Sequence, residues 1–91
     1  MVSNSTNLLV TVNKLLEEAT ESVESNPMFA QSNMIRAHNL LLLSPNTWRA
    51  GYNWKEARKI YDDKIKDLHP KLESSLTPAK LFFGKEHHNP W

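Results

Sequence analysis

Four of the chain's eight aromatic residues, Trp48, Tyr52, Trp54 and Tyr61, fall within fourteen positions and are interleaved with Arg49, Lys55, Arg58 and Lys59. Rings beside long cations suit two kinds of recognition. A Trp or Arg anchors a protein interface when truncating it would empty a desolvated pocket, and a ring face stacks on an unpaired nucleic-acid base. Phe82, Phe83 and Trp91 offer further aromatic surface near the end of the sequence. The first expectation is a partner-binding surface made of Trp48, Arg49, Tyr52, Trp54, Arg58, Phe82, Phe83 and Trp91. Trp54 and Tyr61 also lie on an apolar helical stripe, and that position favours the core for both, leaving Trp48 and Tyr52 as the exposed pair.

Covalent and metal chemistry find little support. The chain has no cysteine, which removes thiolate nucleophiles and disulfides and permits a reducing compartment. No Gly-x-Ser-x-Gly elbow, phosphate-binding glycine loop or dinucleotide fingerprint occurs, and the serines stand near caps and turns. His38 lies on an apolar helix face as a core histidine would, His69 precedes a proline, and His87-His88 has no metal-ligand spacing. Glu17, Glu21 and Glu24 share a helical face, yet the Glu-x-x-His partner of a bundle metal site is missing. That face is better read as solvated, or as paired with Arg36 or Arg49. No catalytic residue, metal or cofactor is expected.

Charge ranks the partners. The net charge is +1, with Lys14 against Glu17, Glu18, Glu21 and Glu24 in residues 1–30 and ten cations against six carboxylates in residues 31–91. An acidic helix docked on basic neighbours explains this asymmetry within the molecule. The alternative is a nucleic-acid-binding regulator whose third helix sets Lys55, Arg58, Lys59, Lys66 and Lys71 on phosphates. Asp62, Asp63 and Asp67 on the same helix weaken that field, and the connection over residues 43–53 exceeds the turn of a helix-turn-helix.

The elements that must position these residues are helical. Leu8, Leu9, Val12, Leu15, Leu16, Ala19 and Val23 recur at three- and four-residue spacing and predict a helix over residues 7–25, capped by Ser5 or Asn7. Asn26-Pro27 predicts the start of a second helix over residues 27–43, with Met28, Met34, Ile35, His38, Leu41 and Leu42 on one face and Ala30 and Ala37 beside it allowing close approach. The leucine run 40–43 wraps that helix all round, so its last turn should be enclosed by other elements or by a partner. Ser44-Pro45-Asn46 ends it. Asn53 and Glu56 resemble a capping box for a third helix over residues 54–69, with one-turn ion pairs Arg58–Asp62, Lys59–Asp63 and Asp62–Lys66 on its outer side. Pro70 should interrupt it. One or two short helical turns ending at Gly84 and an irregular tail over residues 85–91 would follow the single domain 1–84.

Tyr52-Asn53-Trp54 followed by Ala57-Arg58-Lys59-Ile60-Tyr61 resembles the second helix of a tetratricopeptide unit over fewer than twenty residues. The resemblance implies packing of helices in pairs, with no second copy of the unit in the chain. The expectation is an all-α bundle acting as a small non-enzymatic protein-binding module: an inhibitor, adaptor or assembly subunit. It would be soluble and cytoplasmic, free of membrane spans, and open to self-association. Small size, absence of cysteine and nine asparagines would suit a phage or viral accessory protein in a host cytoplasm.

Overall fold

The computed structural model describes residues 4–76, with side chains from residue 7 onward. Three main helices and one short turn of helix form an all-α bundle: α1 (Asn4–Ser22), α2 (Pro27–Leu42), α3 (Asn46–Arg49) and α4 (Tyr52–Ser75). No strand occurs among the described residues. α1 packs on both α2 and α4, while α3 leans on the start of α4. The described part measures 42 × 24 × 17 Å. A 24-residue helix is about 36 Å long, so α4 alone nearly spans the long axis.

The turn between α1 and α2 follows from local chemistry. Asn26 accepts a hydrogen bond from the Phe29 amide through its side chain at 3.2 Å, and Pro27 occupies the first turn, where its missing N–H costs nothing. The core is continuous through Val12, Leu16 and Ala19 of α1, Met34, Ala37 and Leu41 of α2, and Ala57, Tyr61 and Leu68 of α4. The alanine–aromatic pair Ala57 and Tyr61 is wholly buried, as helix-pair packing requires.

Four sequence expectations are corrected. α2 buries Ala30, Gln31, Asn33, Met34, Ala37 and Leu41, whereas Ile35, His38 and Leu42 are half-buried and Met28 is exposed. Met34 and Leu41 face inward as expected, with Ala30 and Ala37 on the same inner line letting the neighbouring helices approach closely, so that line is rotated away from Met28, Ile35 and Leu42. The connection after α2 contains the helical turn α3. α4 begins at Tyr52 behind Gly51, without a side-chain cap, so Asn53 and Glu56 lie inside the helix and do not start it. Pro70 also lies inside α4. Its ring and missing N–H cost a helix about 3 kcal/mol. The stripe Trp54, Ala57, Tyr61, Ile65, Leu68 carries on beyond it to Leu72, which is buried. Burying one leucine contributes about 1.5–3 kcal/mol, enough to offset much of the penalty and hold the last turns in place.

Candidate protein-docking groove

Each α-helix leaves its last four carbonyls without an intrahelical donor. At the end of α2 three side chains satisfy the carbonyls of Leu40, Leu41 and Leu42, beyond the helix's own last backbone bond. The Leu43 amide donates to Asn39 O at 2.9 Å, Ser44 Oγ to Leu40 O at 2.6 Å, Trp54 Nε1 to Leu41 O at 3.0 Å and Arg49 Nη2 to Leu42 O at 2.5 Å. The Arg49 guanidinium also lies 5.3 Å from the centre of the Trp54 ring, and a cation at a helix C-terminus is favoured by the dipole. α3 and the first turn of α4 thus form a cap that fixes the leucine run. The turn into α4 is tight, since a Cβ on Gly51 would stand 3.2 Å from the Trp48 carbonyl oxygen.

The four leucines then divide by direction. Leu41 faces the core and is fully buried, Leu42 is half-buried, Leu40 is 38% exposed and Leu43 is 80% exposed. Leu40 and Leu43 stand beside a groove of about 610 Å³ between α1 and α2, closed at one end by Pro45 and Trp48. On α1 the lining is Leu8, Thr11 and Leu15, and on α2 and its C-cap it is Arg36, Asn39, Leu40 and Leu43. Both sets follow one-turn spacing, so two parallel ridges frame a trough about two turns long. Among the described residues Arg36 is the only charged side chain lining it.

The aromatic and basic segment therefore does not form one surface. Trp48 is half-buried in the groove wall. Trp54 is 4% exposed and belongs to the core, reaching the surface only at the floor of the depression over α4, and Arg49 is engaged in capping α2. Tyr52 is exposed at the start of α4. Arg49, Lys55, Arg58, Lys59 and Lys66 border a second depression of about 480 Å³ over the outer side of α4, shared with Asp62 and Asp63. Arg58 pairs with Asp62 at 3.5 Å, and Lys71 lies apart, paired with Asp67 at 3.6 Å. Phe82, Phe83 and Trp91, the C-terminal turns and the tail over residues 85–91 lie outside the described residues.

Leu8, Leu15, Arg36, Leu40 and Leu43 were not among the expected site residues. The signal for Leu40 and Leu43 was present in the uninterrupted leucine run, whereas Leu8 and Leu15 look like ordinary core positions until the neighbouring helix is placed. The acidic side of α1 turns out to be tied to α2 by an amide: Asn33, fully buried, donates from Nδ2 to Glu18 Oε1 at 3.4 Å. Arg49 is engaged with α2 and does not reach that face.

Among the described residues no three His, Asp or Glu side chains gather as metal ligands, and no helix is long and apolar enough to cross a membrane. Neither protein-family models, nor curated proteins, nor solved structures give a match to this chain.

Proposed function

We propose that this protein is a small non-enzymatic protein-binding module that works through the α1–α2 groove. The observation that carries the reading is Leu43, an aliphatic side chain 80% exposed at the mouth of an apolar trough. A scattered surface leucine means little, but one that adjoins Leu40, Leu15, Pro45 and Trp48 forms a contiguous apolar patch of the kind that marks an interaction site. The cap at the end of α2 holds that patch rigid before any partner arrives, which lowers the ordering cost of binding. A small-molecule site would enclose most of its ligand. This groove instead stands open along its length, with Leu43 projecting beside it.

The test is affinity capture from extracts of the native host, with the partner identified by mass spectrometry, comparing the unaltered protein with Leu43→Glu and with Lys59→Glu/Lys66→Glu. A partner lost with the first variant and retained with the second supports the groove. Retention by Leu43→Glu overturns it.

The second reading is nucleic-acid binding by the cationic depression on α4, favoured by five cations around one hollow. Asp62 and Asp63 in the same hollow oppose phosphate. If an oligonucleotide binds and its affinity falls steeply from low to physiological salt, in a manner abolished by Lys59→Glu/Lys66→Glu, this reading replaces the first.

A further inference from the structure

We infer that the occupant of the groove is one amphipathic helix of another protein, seated for about two turns, with a carboxylate at the edge facing Arg36. The inference rests on the groove being the working surface and names what fills it. Residues 8, 11 and 15 of α1, residues 36, 39 and 40 of α2 and its C-cap residue 43 line the trough at one-turn intervals. Two such ridges side by side leave a furrow shaped for the ridge of a third helix, as ordinary helix packing does. The span from residue 36 to residue 43 is about 10 Å of helix axis. An occupant therefore places two or three large apolar side chains, at relative positions 0, 3 or 4, and 7, against Leu8, Leu15, Leu40 and Leu43.

Charge supplies the remaining specification. Arg36 is the single charged side chain lining the groove among the described residues, and it is exposed. α2 runs antiparallel to α1 across a short turn, which sets Arg36 beside Leu15, at the end away from Trp48. An apolar helix carrying Asp or Glu at that edge gains a favourable pair, and one carrying Lys or Arg there meets like charge. Such an edge contact contributes selectivity more than affinity.

Two synthetic helices test the inference. Both are alanine-based 16-residue peptides with leucine at the three seat positions, and they differ only in bearing Glu or Lys at the edge position. Binding is read from chemical-shift changes at the amides of groove residues and at the Trp48 indole N–H, which leaves Trp54 in place to cap α2. The expected result is that the Glu peptide binds at least about fivefold more tightly than the Lys peptide. Arg36→Glu should reverse that order, and Leu43→Gln should weaken both. Arg36→Gln, which removes the charge without inverting it, should leave the two peptides equal.

Equal affinity of the two peptides for the unaltered protein overturns the charge assignment. Failure of both peptides to shift groove resonances, while a captured protein partner is still lost with Leu43→Glu, overturns the helical occupant and leaves the docking reading standing. Retention of that partner by Leu43→Glu defeats the docking reading itself. A dimer in sedimentation equilibrium that dissociates with Leu43→Glu would make the occupant a second copy of this chain, and would overturn the inference in that way.

Discussion

α1 and α2 meet along two seams, and only one of them is covered by the described chain. On the covered side Val12, Leu16, Met34, Ala37 and Leu41 are sealed by Ala57, Tyr61 and Leu68 of α4. On the open side Leu15 and Leu40, each one residue away from a sealed neighbour, face the groove with Leu43 and Trp48. Adjacent helical residues point about 100° apart, so a run of leucines cannot be satisfied by a single neighbour. A helix turn that is hydrophobic all round therefore needs two partners. The fold supplies α4 as one of them. The other is what the groove is proposed to receive.

Truncation separates the seams most sharply. Leu16→Ala and Leu41→Ala, both wholly buried, should each lower stability by about 2–5 kcal/mol, as cavity-forming changes do. Leu15→Ala, on a half-buried side chain, should cost less than half as much. Chemical denaturation checks all three, and a Leu15→Ala loss equal to that of Leu16→Ala would mean that both seams are closed. The reciprocal change is Leu43→Glu. It should leave the melting temperature nearly unchanged, within about 0.5 kcal/mol, while weakening a groove partner at least about tenfold, or roughly 1.4 kcal/mol.

The covered seam was largely legible in the sequence, because three- and four-residue periodicity reports burial whatever does the burying. Val12, Leu16, Ala19, Ile65 and Leu68 lie where their spacing put them. The reading went astray where a tertiary contact outweighs a local rule. Pro70 signals a stop, yet Leu72 two residues later is held in the core. Asn53 and Glu56 have cap spacing, yet the helix starts before them. The open seam was harder to see, since nothing local distinguishes Leu15 from Leu16. It exists only once α2 lies beside α1. The aromatic segment was legible in part: Trp54 and Tyr61 take the core places that their stripe favoured, whereas Arg49 has the composition of a binding surface but supplies a donor that the carbonyls at the end of α2 require.

The α1–α2 turn sets both seams at once, so a change there should affect them together. Asn26→Ala removes the acceptor for the Phe29 amide and should cost about 1 kcal/mol of stability. If the groove is prearranged by that turn, the same variant should also weaken the two model helices slightly, in proportion to any loosening seen as faster amide exchange at residues 28–30. Weakened stability with unchanged peptide affinity would show that the cap at the end of α2 alone holds the groove.

The smallest effect at neutral pH is also the most specific probe of the covered seam. Tyr61 is wholly buried, with its ring centre 5.9 Å from that of His38. Burial pushes the phenol's pKa well above its ordinary value, and the nearby charge of Asp62 pushes it in the same direction. In the unfolded chain the phenol ionises near pH 10, while the folded protein keeps its proton. Above that pH the unfolded state binds fewer protons than the native state, so stability falls as pH rises, by at most about 1.4 kcal/mol per unit from this one group. Below pH 10 the contribution is flat. Tyr61→Phe removes the titration and keeps the ring, and urea unfolding of both proteins from pH 8 to pH 11 isolates the phenol because the lysines titrate in each. The expected outcome is a difference in stability that is constant to about pH 10 and then shifts in favour of the Phe variant. Parallel curves up to pH 11 would mean that water reaches Tyr61, and the seam beneath α4 would then be no more sealed than the groove on the other side.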